Sequence, residues 1–323
     1  MPGYLSHYLF CIGTAKHLQD SKANPILLTH KKTFCLGGEG PDIFLYYLPT
    51  HFKKPSLGHR LHQTKTKEFL YWGIKTIMTK QTKIEKEVLY AYLSGLICHY
   101  TLDTIAHPYV EAFANPNKNK TSKSVNSYQH CLFETTLDTN LLFKYLRKFP
   151  SEQSFFTITN PDKSKRRMIA SFLSSTCNNA YKNENNYSNI SASHMYRVVS
   201  LFPYAASCLH DKSGLKKPLL NAIERILHSP LRPSCVISSD DLQMDQDVLN
   251  LKHREWRSPF EPKRIRNESF IDLFKSGVHT SYKRCQILYS IIFECDDKEQ
   301  QNFLSNILLE DLGNLSYNTG LTL

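Results

Sequence analysis

Histidine and aspartate recur every four residues in one stretch of the chain, which reads His99-x3-Asp103-x3-His107. Residues four apart lie on one face of an α-helix, one turn above the other. An imidazole nitrogen and a carboxylate oxygen from a single helix can therefore hold a metal ion, and mixed shells of this kind serve catalytic zinc. Each step of four residues also drifts by about 40° around the helix, so three such side chains can reach two different ions.

A second stretch repeats this device and reads His130-x3-Glu134-x3-Asp138. A single pair with this spacing often arises by chance or forms a surface ion pair, but here two triads follow each other closely. His99 also lies in the most apolar predicted helix, where an unpaired polar side chain would be costly. We interpret both triads as metal-binding, except for Asp138, which we interpret as a partner that orients a ligand histidine or as a surface acid.

Further candidate ligands precede the two triads. His7 lies just before an apolar stretch, and Asp42 follows a glycine and a proline on a predicted loop that could aim its carboxylate into a cleft. His59 and His62 lie close together, and the residues alone do not decide between them. A lone histidine is more often an ordinary residue, so these positions gain meaning only from the order they form with the triads.

Helices are the elements that must position these residues. The content of only 12 glycines argues against a strand-rich fold with many tight turns, and apolar residues recur at helical spacing, so we predict an all-α protein. We expect the central helix to end near Ala106-His107, because Pro108 disfavours helical geometry in the residue before it. Residues 34–50 are predicted to begin as a loop, and 229–263 to be an irregular connection. The predicted helices are 4–20, 62–80, 83–106, 126–148, 165–181, 193–211, 216–228, 268–290 and 297–309.

Length and composition indicate a globular protein. The 323 residues are 41% hydrophobic and 21% charged, and we predict a single domain, 1–323, with a metal-site half at 1–148 and a helical half at 165–323. The formal net charge of +11 suits polyanionic partners, but it also serves solubility. The basic residues are scattered, apart from the polar stretch Asn115–Lys123, which we predict to be a solvent loop, and the run Lys163–Arg167.

Cysteine usage and the N-terminal sequence bear on the compartment. The nine cysteines are odd in number, widely spaced and contain no CxxC pair, which argues against a disulfide framework and a cysteine-type zinc site. The N-terminus has no basic segment followed by a long apolar stretch, and the longest apolar run, Val88–Cys98, is too short to span a bilayer. We therefore predict a cytoplasmic protein with free thiols.

The order of these histidines and carboxylates resembles the zinc-dependent phospholipase C family, which is similar in fold to the single-strand nucleases of the S1/P1 type. The motifs that carry the resemblance lie within 4–140. The resemblance implies a multi-helix, all-α domain that holds a cluster of two or three zinc ions between its helices.

The resemblance also implies a set of ligands. His62, His99 and Asp42 would bind one zinc ion, and Asp103 would bridge from that ion to a second one. His7 would join Asp103 on the second ion. Asp42 matches an aspartate that is also a candidate general base, so the resemblance implies a catalytic role for it as well.

His107, His130 and Glu134 would bind the third ion. Secreted members of the family complete the second zinc site with the amino group of a terminal tryptophan, but here six residues without a tryptophan precede the first candidate ligand. Water, His51 or His59 could complete that site instead. Between His59 and His62, the local pattern favours His62 as the ligand of the first ion.

A phosphodiester is the substrate that the resemblance implies, with a phospholipid head group as the first candidate and peripheral contact with a membrane. Tyr46, Tyr47 and Tyr109 neighbour the candidate ligands in sequence and could contact a choline group or stack on a base. We therefore predict a zinc-dependent phosphodiester hydrolase of the phospholipase C type. The alternatives are a nuclease or nucleotidase, with nucleic acid the less favoured partner, and a non-catalytic, metal-stabilised scaffold. No obligate protein partner is expected.

Overall fold

A computed structural model describes residues 3–47, 56–115, 123–184, 186–187, 189–227, 232–242 and 247–323. These residues form an all-helical fold, as predicted, and the described ranges contain no strand beyond two isolated bridges. Short 3₁₀ turns lie at Gly40–Phe44, Pro150–Glu152 and Pro233–Val236. The helices are α1 Tyr4–His17, α2 Asn24–Thr29, α3 Lys31–Gly38, α4 Leu57–Gln63, α5 Thr66–Met78, α6 Lys83–Ala114, α7 Lys123–Leu146, α8 Phe155–Thr159, α9 Lys163–Ala180, α10 Ala192–Cys208, α11 Lys216–Ile226, α12 Phe270–Phe293 and α13 Lys298–Leu312.

Helix α6 is the longest helix among the described residues, and it does not end where the sequence predicted. It continues through Pro108 to Ala114. Proline has no N–H, so the carbonyl of Thr104 loses its usual helical donor. The backbone at Gly320 approaches that carbonyl closely: a Cβ there would lie 2.3 Å from the Thr104 oxygen, and the φ of +67° suits glycine. The prediction of an end near residue 106 was wrong, because tertiary packing accommodates the proline inside the helix.

Helix α3 packs directly on α6 through glycines. A Cβ at Gly37 would lie 2.1 Å from the carbonyl oxygen of Tyr92, and one at Gly95 would lie 2.1 Å from that of Phe34. Only glycine permits this backbone contact. The prediction that residues 34–50 begin as a loop was therefore wrong for residues 34–38, which belong to α3.

Several other helices pack around α6. Helix α1 packs against α12, with the rings of Phe10 and Phe274 edge to face at 5.2 Å. The Tyr90 hydroxyl of α6 donates a hydrogen bond to the Cys285 carbonyl of α12, and the Tyr100 hydroxyl donates one to the Leu312 carbonyl of α13. Buried tyrosines thus use their polar ends to tie the C-terminal helices to the helix that carries the first triad.

The described parts of the segment between α11 and α12 are irregular apart from one 3₁₀ turn, as the sequence predicted. Of the polar stretch Asn115–Lys123, residues 116–122 lie outside the described ranges. None of the described helices is both long and apolar enough to cross a bilayer.

Candidate metal centre

Five side chains converge beside the middle of α6, and we call them the deep group. Helix α6 supplies two of them, and α1, α4 and the 3₁₀ turn at Gly40–Phe44 supply one each. All five are buried, with exposed fractions between 0% and 5%. The deep group consists of His7, Asp42, His62, His99 and Asp103.

The ligand atoms of the deep group lie at distances that suit one or more shared cations. Asp103 lies between two imidazoles, with its carboxylate oxygens 3.4 Å from Nε2 of His7 and 3.2 Å from Nε2 of His99. Oδ1 of Asp42 lies 3.1 Å from Nε2 of His62 and 4.0 Å from Nε2 of His99. The triplets His7, His99, Asp103 and Asp42, His62, His99 each bring their ligand atoms within 4.8 Å of one another. The bridging position predicted for Asp103 is therefore geometrically available.

Backbone carbonyls orient two of these imidazoles. Nδ1 of His99 lies 2.9 Å from the Gly38 carbonyl oxygen, and Nδ1 of His62 lies 2.6 Å from that of Gly58. A carbonyl only accepts, so each Nδ1 carries the proton and each Nε2 presents a lone pair to the deep group. Gly40 has a φ of +51°, and a Cβ there would lie 2.4 Å from the His99 ring. The glycine-rich stretch before Asp42 thus makes room for a candidate ligand.

Several polar atoms of the deep group lack a hydrogen bond of acceptable geometry among the described residues. They are both nitrogens of His7, Nε2 of His62 and His99, Oδ1 of Asp42 and both carboxylate oxygens of Asp103. Buried polar atoms without partners are costly, and so many in one place call for a bound species. A set of imidazole nitrogens and carboxylate oxygens fits zinc.

The charges of the deep group influence one another. Burial opposes ionisation of Asp103, but the imidazoles of His99 and His107 hold the pKa of its carboxyl well below the usual value. Burial also disfavours the charged form of His99, yet Asp103 and Asp42 together raise the pKa of that imidazole. The pKa of His7 is lowered by burial and by the nearby His99. The ionised carboxylate is the form of Asp103 that binds a metal cation, and a bound cation would displace the proton that these carboxylates favour on His99.

Three further residues form what we call the outer group: His107, His130 and Glu134. Oε1 of Glu134 lies 2.8 Å from Nε2 of His130 and 3.9 Å from Nε2 of His107, and the two imidazole rings stack at 5.6 Å. His107 lies one turn after Asp103 on α6, whereas the other two lie on α7. The drift of the four-residue spacing around α6 therefore divides one triad between the deep and outer groups.

Glu111 is a functional candidate that the sequence interpretation missed. Its carboxylate lies 2.9 Å from Nδ1 of His130, on the ring nitrogen opposite Glu134. Such a contact fixes the orientation of a ligand histidine and raises its basicity. The signal was present, because Glu111 continues the four-residue spacing after His107, but the predicted end of the helix removed it from consideration.

A cavity of about 530 Å³ opens beside the outer group. His62, His107 and His130 line it, together with polar side chains and Phe260. The C-terminal segment 313–323 forms part of its wall through Asn318 and Thr319. This cavity gives a ligand access to the candidate metal ligands.

Tyr317 in the same segment covers the deep group. Its N–H donates a hydrogen bond to the His62 carbonyl, and its ring lies 5.1 Å from the imidazole of His62 and 5.7 Å from that of His99. Tyr317 itself is buried. No sequence pattern pointed to this residue, because its contact with the deep group is entirely tertiary.

Asp138 is buried rather than a surface acid, and its contacts differ from those expected of it. Its carboxylate accepts hydrogen bonds from the backbone N–H groups of Leu5 and Ser6 and from the Ser6 hydroxyl. These groups lie in the first turn of α1, where an anion is favoured by the helix dipole. Asp138 thus anchors the helix that carries His7 instead of contacting an imidazole directly.

The three tyrosines expected at the substrate site are not among the residues that line the cavity. Tyr109 is fully buried and donates a hydrogen bond to the Val248 carbonyl. Tyr46 packs on Phe202, and Tyr47 is buried with its ring edge to face on His194. The positions of these tyrosines show that closeness in sequence to a ligand does not direct an aromatic ring into the cleft.

His62 and His59 differ clearly in their positions. His62 faces Asp42 in the deep group, whereas His59 is exposed, lines the cavity and has its Nδ1 2.7 Å from the Ser56 hydroxyl. The other residue considered for completing the second zinc site, His51, lies outside the described ranges.

Comparison with known proteins agrees with this centre. A family model described as zinc-dependent phospholipase C matches residues 6–187, a range that includes every residue of the deep and outer groups. No curated protein and no solved structure matches the chain. The match spans more than half of the 323 residues, and the all-helical fold and the His and Asp clusters are consistent with it. The chain belongs to the zinc-dependent phospholipase C family.

Proposed function

We propose that this protein is a zinc-dependent phosphodiester hydrolase of the phospholipase C type. The observation that supports this best is the deep group, in which buried imidazole and carboxylate atoms converge without hydrogen-bond partners among the described residues. The neighbouring outer group opens onto a cavity that can admit a substrate. Two or three zinc ions would occupy the two groups.

Zinc, when bound, would supply a Lewis acid and lower the pKa of a water molecule for attack on phosphorus. In this proposal the residues of the deep group hold the zinc ions and fix their positions. His62 and His99 present Nε2 because carbonyls hold their Nδ1 protons, and Asp103 lies where one carboxylate reaches two sites. No nucleophilic side chain is required.

Asp42 has two proposed roles. Its Oδ1 points towards His62 and His99, which suits a ligand, and a carboxylate in this position can also accept the proton of an attacking water. Asp42 is nearly fully buried, so exchange of that proton with bulk solvent would pass through the cavity side of the centre.

The cavity determines how a substrate would approach. Its mouth combines imidazoles with amide and hydroxyl side chains, and Phe260 is the aromatic residue among those that line it. A phosphodiester head group would enter beside His107 and His130, while an attached lipid chain would remain outside the protein. This arrangement is compatible with a substrate presented at a membrane surface.

Elemental mass spectrometry on protein purified without chelator or immobilised metal is the first experiment. We expect two or three zinc ions per chain. One or none after incubation with zinc and dialysis would contradict a hydrolytic cluster and would favour a metal-stabilised scaffold.

A substrate panel should follow the metal analysis. We expect hydrolysis of a phosphorylcholine ester, with less activity on single-stranded DNA and 3′-nucleotides. His99→Ala should abolish turnover, whereas the matched variant His279→Ala removes an exposed histidine and should not. Retained activity in His99→Ala would refute the metal assignment, and preference for DNA would identify a nuclease instead.

A further inference from the structure

A second cavity lies at the opposite end of α3 from the metal centre. It has a volume of about 590 Å³ and is formed by the junction of α2 with α3 and by the segment between α8 and α9. None of the residues that line it also lines the cavity beside the outer group. It is therefore separate from the proposed catalytic centre.

The lining of this cavity is strongly basic. Lys31 and Lys32 open α3, and Lys165 approaches from the start of α9. The acid among the lining residues, Asp162, already binds Lys165 at 3.1 Å and caps α9. Helix α3 has no acidic residue in its first turn and no side-chain cap. Two lysines at a helix N-terminus oppose the helix dipole, so this arrangement favours a bound anion.

Two buried side chains on the lining lack hydrogen-bond partners among the described residues. The imidazole of His30 is 7% exposed, and neither of its nitrogens makes a hydrogen bond. The nearest carboxylate, that of Glu87, lies 3.7 Å from Nε2, which is beyond hydrogen-bond distance. The Thr33 hydroxyl is fully buried and also unpartnered. Each such group is costly unless a ligand satisfies it.

We propose that this cavity binds a phosphate-bearing anion. The ammonium groups of Lys31 and Lys32 supply the counter-charge, and His30 and Thr33 supply hydrogen bonds from the buried side. The cavity is larger than a bare phosphate, so it has room for a phosphate that carries a further portion, such as a glycerol phosphate or an anionic lipid head group.

Equilibrium dialysis of labelled inorganic phosphate against the zinc-loaded protein tests this site. Phosphate should bind in two classes, one at the metal centre and one in the basic cavity. Lys31→Gln combined with Lys32→Gln should weaken the second class by about a hundredfold, since each charge-assisted contact contributes about tenfold. The double variant should keep its hydrolytic activity, because neither lysine belongs to the metal centre.

The matched control is Lys298→Gln, which removes a lysine from the first turn of another helix, α13. It should bind phosphate as the wild type does. His99→Ala should lose the metal-dependent class and keep the other. Wild-type stoichiometry and affinity in the double-lysine variant would overturn the proposal, whatever the outcome for hydrolysis.

Thr33→Val separates a ligand contact from a structural one. The hydroxyl has no partner in the described structure, so its removal should leave the melting temperature equal or higher while phosphate affinity falls about tenfold. A lower melting temperature with unchanged phosphate affinity would show that the hydroxyl is structural and would count against the site.

The source of the phosphate group is tested with sn-glycerol 3-phosphate and with phosphatidylcholine vesicles that contain or lack phosphatidic acid. Retention on the phosphatidic acid vesicles that is lost in the double-lysine variant identifies a lipid head group. Binding of glycerol phosphate without vesicle retention identifies a soluble phosphomonoester. Failure of both probes overturns the proposal.

Discussion

The deep and outer groups use the same residue types but compensate their charges differently. In the deep group, both oxygens of Asp103 and several imidazole nitrogens lack hydrogen bonds among the described residues. In the outer group, His130 lies between Glu111 and Glu134 at ion-pair distance. In the proposed centre a cation would satisfy these atoms of the deep group, whereas in the outer group the protein already places two carboxylates on one imidazole. We infer that metal held by the deep group mainly stabilises the fold. The outer group would mainly control metal exchange and access to the cavity.

Asp103→Asn should have the largest effect on this comparison. An amide keeps the shape but cannot supply an anionic bridge, so we expect loss of zinc from the deep group and a fall in turnover of about a thousandfold or more. Turnover and zinc content should be measured together. Asp296→Asn, at an exposed position, is the control. Wild-type zinc content in Asp103→Asn would contradict the inference that the deep group needs this carboxylate to bind zinc.

Removal of zinc by a chelator should destabilise the protein. A ligand present at about a thousand times its dissociation constant stabilises the folded state by about 4 kcal/mol, and chelation removes that contribution. Thermal unfolding followed by circular dichroism should show a lower melting temperature that zinc restores. The decrease should be much smaller in Asp103→Asn, which lacks the deep ions already. Equal decreases in that variant and the wild type would assign the stabilisation to the outer group.

Glu111→Gln should test the outer group separately from the deep group. Loss of a carboxylate that orients a ligand histidine weakens metal binding by about tenfold to a hundredfold, and we expect this for the outer ion alone. Competition with a chromophoric chelator measures the affinity. Glu299→Gln, at an exposed position, should change nothing. Weaker binding of every ion in Glu111→Gln would mean that the groups act as one.

The smallest expected effect concerns Asp138, which anchors α1, the helix that carries His7. Burial raises the pKa of Asp138 from its ordinary 3.8 to about 7, against the opposing hydrogen bonds from Ser6 and Leu5. Because the folded pKa is the higher one, the stability it confers is complete below about pH 4 and declines as pH rises through about 7. The neutral variant Asp138→Asn should therefore show a flatter profile of unfolding free energy over this range. Parallel profiles would contradict the raised pKa.

Local spacing made much of the centre predictable from the sequence. The four-residue spacing in α6 and α7 depends only on helix geometry, so it identified His99, Asp103 and Glu134 before any tertiary contact was known. The choice of His62 over His59 came from the family pattern, and the structure gives it a geometric basis in the contact with Asp42.

Tertiary compensation explains what the sequence could not show. Pro108 is a local signal for the end of a helix, but Gly320, far along the chain, packs against the carbonyl that the proline leaves without a donor. The mistaken end then concealed Glu111. Tyr109 neighbours a candidate ligand, yet the helix turns its ring into the core, where the hydroxyl bonds Val248. Such directions depend on which surfaces meet, and a single sequence does not contain them.

The cover that Tyr317 forms over His62 and His99 has a consequence for the order of synthesis. A ribosome makes the candidate ligands, from His7 to Glu134, long before it makes residues 313–323, and the N-terminal part of a chain begins to fold first. In this order of synthesis, the candidate ligands exist before the segment whose Tyr317 covers two of them. We therefore expect zinc, where it binds, to enter an open centre and Tyr317 to close over it afterwards.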